Sequence, residues 1–307
     1  MDAVISVDGL VKEYGKLRAV DGISFSVPTG KVYSFLGPNG AGKTTTVEIL
    51  EGLRRATHGT LRVLGLDPWH DAGEVHRRVG VMPQGFRFFD KVTPLEAVQY
   101  YGRLFDVQVD APALLRRVLL EEKANDTFDK LSGGQKQKLG IALALVNDPE
   151  VVFLDEPTTG LDPQARRAVW ELLRELRKEG RTIFLTTHYL EEAENLADQV
   201  AIIHHGKIVT EGSPAELIAK YGRGPRIVLE ATPELLKVLQ RVPGLSSEVK
   251  GNQVEVPLHQ KQVLIDALQA IAASGLVWPD ISTQRDTLEE VFITLVGEME
   301  EGGEVRA

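Results

Sequence analysis

Residues 36–45 of the chain read Leu36-Gly37-Pro38-Asn39-Gly40-Ala41-Gly42-Lys43-Thr44-Thr45. The stretch fits the pattern Gly-x-x-x-x-Gly-Lys-Ser/Thr of a phosphate-binding loop. The apolar run Val32–Leu36 before it predicts a strand, and the segment Lys43–Leu53 after it, with apolar residues on one face, predicts a helix. A strand, a loop and a helix in this order are the context that the pattern requires. The stretch therefore predicts an α/β fold with a site for a nucleoside triphosphate.

The residue types of the loop suit phosphate chemistry. Glycines let the backbone approach phosphate groups with its N–H groups turned inward. The N-terminus of the following helix adds partial positive charge. Lys43 can direct a full positive charge at the β- and γ-phosphates, and the Thr44 hydroxyl can bind Mg²⁺. The loop predicts a bound nucleotide but not what its energy is used for.

Composition narrows the class of protein. The chain has 307 residues, enough for one large and one smaller domain, and 35 basic against 44 acidic residues give a net charge of −9. Such an acidic chain is a poor general nucleic-acid binder. It contains no cysteine, which excludes disulfides and thiolate metal sites. We see no signal peptide at Met1–Val4 and no run of the about 18–20 apolar residues that span a membrane. Any action at a membrane is therefore expected to need a partner.

A second candidate anion site lies in the middle of the chain. Residues Leu131-Ser132-Gly133-Gly134-Gln135 open a long apolar helix, and Ser132 is suited to be its N-cap. A serine and two glycines at a helix N-terminus can bind an anion. The alternative is a glycine-containing cap without a ligand, which would be the default for this stretch in isolation.

Two carboxylates follow a strand of the buried type. The continuous apolar run Val151–Leu154 is typical of a central parallel strand, and Asp155, Glu156 and Pro157 come directly after it. The carboxyl ends of such strands are where α/β sheets bind ligands. Asp155 is therefore a candidate Mg²⁺ ligand, and Glu156 a candidate base that polarises the attacking water. The alternative is a charged exit from the strand.

Four further residues are weaker candidates when each is taken alone. Tyr14 can stack on a purine ring, and Gln84, at a predicted strand end, can reach the metal or the water near the γ-phosphate. His188 follows the predicted strand Thr182–Thr186, where it can touch a phosphate, and Asp162 is a predicted N-cap. The ordinary structural roles of such residues remain open at this point.

The rest of the chain predicts one insertion and one further domain. Thr93-Pro94-Leu95-Glu96 is a capping box, and we predict helix from Thr93 to about Leu120, inside a helical subdomain of residues about 90–148. Gly222–Pro225 predicts a boundary between domains 1–221 and 222–307. Beyond it, we predict a small α+β ferredoxin-like domain of order β-α-β-β-α-β, with strands 226–231, 246–250, 253–257 and 276–282, helices 233–241 and 260–274, and a final helix from Thr287.

Together these motifs resemble the ATP-binding cassette (ABC) family, a group of P-loop NTPases. The resemblance covers residues 3 to about 221, and its motifs stand in the family's order. They are the aromatic Tyr14, Walker A at Gly37–Thr44, Gln84 of the Q-loop, the signature Leu131–Gln135, Walker B at Val151–Asp155, Glu156, Asp162 of the D-loop and the switch His188. The resemblance implies an ATPase that uses ATP and Mg²⁺.

The family resemblance also implies partners. Two ATPase subunits, identical or different, would dimerise head to tail, with Ser132 and Gly134 of one touching the γ-phosphate on the other's loop. Gln84 and the helical insertion would couple that closure to an integral membrane subunit, placing the chain at the cytoplasmic face of a membrane. The C-terminal part resembles that of the daunorubicin-resistance type of exporter ATPase, through Thr287-Leu288-Glu289-Glu290-Val291-Phe292.

Three functions compete on this basis. The leading hypothesis is the ATPase subunit of an exporter. The second is a soluble cassette protein of repair or translation, which usually carries a coiled-coil insertion or two cassettes, and this chain shows neither. The third is an importer ATPase, whose regulatory domain is usually barrel-like rather than β-α-β-β-α-β.

Overall fold

The computed structural model describes residues 3–258, 261–276 and 280–300. The chain divides into two compact units, with the division between Pro214 and Ala215. The predicted boundary at residues 221–222 differs from this division by one short helix.

Nine strands lie among the described residues of the first unit. They are β1 (Ala3–Tyr14), β2 (Leu17–Pro28), β3 (Val32–Leu36), β4 (His58–Val63), β5 (Val79–Met82), β6 (Val151–Asp155), β7 (Thr182–Thr187), β8 (Gln199–His204) and β9 (Lys207–Gly212). Strands β2, β1 and β4 form an antiparallel sheet in that order. The other six form a second sheet of order β5-β6-β7-β3-β8-β9, parallel except for the β8–β9 hairpin.

The hairpin β1–β2 is longer than predicted. The sequence indicated short apolar runs at Val4–Val7 and Ile23–Val27, but each strand is 12 residues long. The register shifts between Val7 and Leu10, and again between Leu10 and Val11. Each shift breaks the alternation of inward and outward side chains, so one period-two pattern does not run along the whole strand.

Buried aromatic rings join the two sheets of the first unit. Phe25 from β2 lies with its ring centroid 5.5 Å from that of Tyr33 and 6.0 Å from that of Phe184. All five residues of β3 and of β6 are buried, as expected for parallel strands covered on both faces. This packing fixes the carboxyl ends of β3, β6 and β7, where the candidate site lies.

Eight α-helices begin within the part of the first unit that the structure describes. They are α1 (Lys43–Leu50), α2 (Ala72–Arg78), α3 (Pro94–Leu104), α4 (Ala111–Arg117), α5 (Gly133–Ala144), α6 (Pro163–Lys178), α7 (Leu190–Leu196) and α8 (Pro214–Tyr221). The start of α3 is the predicted capping box, in which Glu96 N donates to Thr93 Oγ1 over 3.2 Å. None of the helices in the described ranges combines the length and apolar character needed to cross a bilayer.

The region predicted to be helical, from Thr93 to about Leu120, contains two helices separated by a break. Helix α3 ends at Leu104, and Asp106 adopts a left-handed φ of 54°. The chain then turns back so that Val109 packs on Gly102, where an added Cβ would lie 2.7 Å from Val109 Cγ1. Asp110 caps α4 by accepting from Ala113 N over 2.9 Å. Tertiary packing therefore breaks a region whose composition favours helix.

The second unit contains one four-stranded sheet. Its elements are β10 (Arg226–Glu230), α9 (Pro233–Leu239), β11 (Glu248–Lys250), β12 (Gln253–Pro257), α10 (Lys261–Ala273), β13 (Ile281–Gln284) and α11 (Leu288–Glu300). The antiparallel order is β11-β12-β10-β13, and apolar residues of both central strands pack with α9 and α10. Part of the strand predicted at 276–282, part of the helix predicted at 260–274, and the tail 301–307 lie outside the described residues.

Candidate functional site

The glycine-containing loop connects β3 to α1 at the carboxyl edge of the six-stranded sheet. Strand β3 lies between β7 and β8, so the loop is at the centre of that edge. Helix α1 begins at Lys43, directly after Gly42 in a left-handed conformation with φ 104°. Residues 39–42 therefore face the open space beyond the strands, where α/β sheets bind ligands.

Two glycines of the loop are required by close contacts. A Cβ on Gly42 would lie 2.5 Å from the carbonyl oxygen of Ala19, and a Cβ on Gly37 would lie 2.3 Å from that of Ile203. Both distances are far inside van der Waals contact, so no other residue fits without a backbone shift. Ala41, which lies between Gly40 and Gly42, is buried and belongs to the hydrophobic core.

The carbonyl group of Ala19 also contacts the β8–β9 turn. A Cβ on Gly206 would lie 2.9 Å from the Ala19 oxygen, and Gly206 N donates to Ala41 O over 3.0 Å. Asp21 N in turn donates to Gly206 O over 2.9 Å. The β1–β2 hairpin, the glycine loop and the β8–β9 turn therefore support one another.

The Lys43 ammonium is buried, with 4 % of the side chain exposed. Its Nζ donates to Gly37 O over 2.7 Å and to Pro38 O over 3.0 Å, and it lies 3.6 Å from Glu156 Oε1. Burial lowers the pKa of this ammonium, although Glu156 and Asp155 oppose the shift. A cation held in this way is ready to exchange carbonyl partners for phosphate oxygens.

The Glu156 carboxylate is the centre of a polar cluster. Its Oε2 accepts from Gln84 Nε2 and from Thr159 Oγ1, each over 3.0 Å, and lies 3.2 Å from His188 Nδ1. Burial acts to raise the pKa of this carboxyl, but His188, Thr159 and Lys43 outweigh it and lower the pKa. The group is therefore ionised at neutral pH.

Glu156 also has an unusual backbone conformation, with φ 50° in the left-handed region. Its N–H donates to both Thr186 O and Thr186 Oγ1, each over 3.1 Å. Strained conformations of this kind, held by surrounding bonds, are concentrated at functional sites. In this conformation the carboxylate Oε1 lies 3.6 Å from Lys43 Nζ.

Asp155 is the last residue of β6 and is also buried. Burial raises the pKa of its carboxyl, while hydrogen bonds from the hydroxyls of Thr186 and Thr44 oppose the rise. A hydroxyl and a carboxylate oxygen side by side are the protein ligands that Mg²⁺ takes when phosphate and water complete its shell. The described residues contain no cluster of three or more His, Cys, Asp or Glu residues that could hold a metal without such help.

A pocket of about 350 Å³ brings together half of the predicted site residues. It is lined by Tyr14, Leu17, Ala19, Asn39, Gly40, Gly42, Lys43, Thr44, Thr45, Gln84 and Glu156. Tyr14 is 39 % exposed, and the Lys12 ammonium lies 5.0 Å from the centroid of its ring. Sequence reasoning missed Leu17 and Ala19, because it did not extend β2 to them.

The other predicted residues lie outside this pocket. Ser132 is the N-cap of α5, as predicted, since Gln135 N donates to Ser132 Oγ over 3.3 Å and Ser132 N to Gln135 Oε1 over 2.9 Å. Asp162 caps α6 by accepting from Ala165 N over 2.9 Å, as predicted. A Cβ on Gly134 would lie 2.9 Å from Ala165 Cβ. The N-termini of α5 and α6, with Ser132–Gln135 and Asp162, therefore lie side by side.

Sequence reasoning also missed two threonines that hold the carboxylates. Thr186 pairs with Asp155 across β6 and β7 and bonds to both Asp155 and Glu156. Thr159 follows Glu156 by three residues. The one available signal for Thr186 was a polar residue at the end of an otherwise apolar strand.

The parallel sheet, the glycine loop and the paired carboxylates define a P-loop nucleoside triphosphatase. Comparison with known proteins narrows the class: residues 20–159 match the family described as ABC transporter. The daunorubicin resistance ATP-binding protein DrrA3 of Streptomyces coeruleorubidus is 36 % identical over 307 residues, covering 97 % of each chain. The chain belongs to the ABC transporter family and is an ABC-type ATPase.

Further relatives agree with this assignment. Nod factor export ATP-binding protein I of Ralstonia nicotianae is 46 % identical over 220 residues, covering 70 % of this chain and 68 % of that protein. Among solved structures, an ATP-binding subunit of an ABC transporter has TM-score 0.64 and 28 % identity, covering 71 % of this chain and 93 % of that chain. A dimeric bacterial ABC transporter cassette, MJ0796, has TM-score 0.60 and 26 % identity, covering 68 % of this chain and 98 % of that chain.

Proposed function

We propose that this chain is the ATP-binding and hydrolysing subunit of an ABC exporter, working with an integral membrane subunit at the cytoplasmic face of the membrane. The observation that carries the proposal is the polar cluster of Lys43, Gln84, Glu156 and His188 beside the glycine loop. The relatives named for daunorubicin resistance and Nod factor export favour export over import or a role in repair.

In this proposal the loop residues bind the phosphates of ATP. Backbone N–H groups of residues 39–42 and the N-terminus of α1 supply the anion site. Lys43 leaves the carbonyls of Gly37 and Pro38 for the β- and γ-phosphates. Tyr14, half-exposed at the pocket edge, is the platform for the purine ring.

Thr44 and Asp155 would hold Mg²⁺, with Gln84 nearby as a further oxygen ligand. When bound, the ion neutralises charge that develops on the phosphate oxygens. Glu156 acts as the base, since its carboxylate is ionised and fixed by Gln84 and Thr159. His188, 3.2 Å from the same carboxylate, orients it and is placed to reach the γ-phosphate.

Ser132–Gln135 and Asp162 act from a second ATPase subunit in this proposal. Ser132–Gln135 form the N-terminus of a 12-residue helix, and Asp162 lies beside them. One ATP bound on the loop of one subunit would be covered by these residues of the other. The dimeric state of the related cassette supports the arrangement, with either identical or different subunits.

The membrane subunit would dock on a groove of about 380 Å³ formed by β5, α3, α5 and the end of α1. The groove includes Pro83, next to Gln84, and Tyr101 and Phe105 at the end of helix α3. In this proposal Gln84 transmits movement at this surface to the polar cluster, because it follows Pro83 and donates to Glu156. The C-terminal part, residues 222–307, is proposed as an accessory domain.

The variant Glu156→Gln tests the proposal. We expect it to bind Mg-ATP as the wild type does, to lose at least about 100-fold in ATP turnover, and to accumulate a dimer in ATP, because the base is removed while the binding contacts stay. Turnover within a few-fold of wild type would refute the role of Glu156. Co-purification of the variant with a polytopic membrane protein tests the transporter role, and a chain found only with soluble partners would refute it.

A further inference from the structure

The groove on the helical side of the first unit is lined mainly by apolar residues. Its walls include Val81, Leu104, Phe105 and Leu143. Among the described residues that line it, Glu51 is the one with a carboxyl group. Glu51 is the residue at which α1 ends, and only 4 % of it is exposed.

Three features of its surroundings disfavour a charge on Glu51. Burial, followed by the nearby Asp155 and Glu48, raises the pKa of its carboxyl to about 8. The side chain also lies at the negative end of a helix dipole. Within the described part of the chain no hydrogen bond or ion pair reaches this carboxylate, and the nearby Arg54 is bonded to Glu48. A buried carboxylate without a partner lowers the stability of the fold. A protein keeps such a residue where a ligand supplies the partner.

A second acceptor lines the same groove. The Nδ2 group of Asn147 donates to the carbonyls of His76, Arg77 and Val79, at 3.3, 3.1 and 2.9 Å. These bonds fix the amide, and no hydrogen bond within the described ranges reaches its oxygen. His76 lies between the two residues: its Nε2 is 2.7 Å from the backbone carbonyl oxygen of Glu51, and its own carbonyl accepts from Asn147 Nδ2.

Two aromatic rings also belong to the lining of the groove. Tyr101 and Phe105 lie with ring centroids 6.3 Å apart, and both line the groove. A carboxylate, an amide oxygen and aromatic faces together are what a guanidinium group binds, since it is planar, has five donors and stacks on rings. A lysine ammonium has fewer donors, three instead of five, and lacks the plane that stacks on the rings.

We infer that the groove binds a segment of the membrane subunit that inserts an arginine side chain against Glu51 and Asn147, with apolar neighbours on Leu104 and Leu143. The inference rests on the proposed function, because it takes the membrane subunit as the occupant. It goes further by naming the side chain that the groove selects. Glu51 is a specificity residue for the partner and takes no part in ATP hydrolysis.

Phenylguanidinium and its neutral isostere phenylurea test the inference on the full chain. Binding is followed by chemical-shift changes of the amides of Tyr101, Leu143 and Asn147 at pH 8. We expect phenylguanidinium to bind at least tenfold more tightly than phenylurea, because only the cation can pair with Glu51. The variant Glu51→Gln should reduce this preference to about twofold or less. The control Glu48→Gln, which alters the neighbouring carboxylate already paired with Arg54, should keep it.

Equal affinity for the two probes, or a preference that survives in Glu51→Gln, would overturn the inference. A thermal melt of each variant shows whether it is folded, and Asn147→Ala is the second variant if Glu51→Gln does not fold. ATP turnover is measured on the same samples. If the wild type prefers phenylguanidinium but does not hydrolyse ATP, the result counts against the proposed function alone. If it hydrolyses ATP normally but shows no preference between the two probes, the result counts against the arginine site in the groove alone.

Discussion

Replacing the groove carboxylate should stabilise the first unit, and the gain should depend on pH. The pKa of Glu51 is raised from its ordinary value of 4.5 to about 8 by burial first, and then by Asp155 and Glu48. Between these two pH values the unfolded chain has lost the proton and the folded chain still holds it. Since the folded state then binds more protons, its stability falls as pH rises through this window.

The size of the effect follows from linkage. Each pH unit inside the window removes about 1.4 kcal/mol from the free energy of unfolding. At pH 7 the wild type has therefore lost about 3 kcal/mol relative to a chain with a neutral side chain at this position. Glutamine is such a side chain and has nearly the same shape. The gain of Glu51→Gln over wild type should grow by about 2 kcal/mol between pH 6 and pH 8.

Urea unfolding at pH 6, 7 and 8 measures this gain, and all three values lie above the isoelectric point of about 5.4. For a unit of this size a gain of 3 kcal/mol also corresponds to a rise in melting temperature of roughly 6–12 °C. Glu122→Gln, which alters an exposed carboxyl of the same unit, is the matched control and should leave the pH dependence unchanged.

Two results would refute the reasoning. A stabilisation by Glu51→Gln that does not change with pH would mean that the carboxyl keeps an ordinary pKa. A variant less stable than wild type at every pH would mean that the carboxylate has an internal partner. The expected result would instead show that wild-type Glu51 makes the protein less stable than glutamine does at the same position. Such positions are common at functional surfaces.

The remaining predictions concern the nucleotide. Lys43→Ala should weaken ATP binding at least about tenfold, because a buried full charge is lost; unchanged affinity in a calorimetric titration would reject its assigned role. Ser132→Ala should leave ATP affinity of the monomer intact and impair the ATP-dependent dimer seen by light scattering, with about 1 kcal/mol of helix stability lost. Gly42→Ala should unfold at lower urea than Gly85→Ala, since Gly85 also has a positive φ but open space for a Cβ; equal midpoints would show that the contact with Ala19 is not limiting.

The site was largely predictable because its residues are concentrated in short segments with fixed spacing. The glycine loop, Asp155 and Glu156 each follow an apolar strand, and strand ends at one sheet edge must meet. Thr186 was not predictable, since its role depends on β7 lying next to β6, which no local pattern specifies. The groove with Glu51 was hidden for the same reason: its walls come from α1, β5, α3 and α5.

The fold was predictable where one element has one clear period. The apolar strands β3 and β6 and the capped helices α5 and α6 agree with the sequence pattern within one or two residues. The seven-residue helices α2 and α7 were missed, because two turns carry too little periodicity to recognise. The break after Leu104 was missed because it depends on packing between Gly102 and Val109, not on a proline or glycine in the break itself.

The contact between Ala19 and the glycine loop has a practical meaning for anyone who trims this chain. A fragment that begins at residue 20, where the family match begins, retains every charged and glycine motif of the nucleotide site. It would nevertheless lack Tyr14, Leu17 and the carbonyl that Gly42 and Gly206 both touch. A fragment can therefore contain every sequence motif of an ATPase and still lack part of the nucleotide site. A fragment with the whole site has to begin before Tyr14.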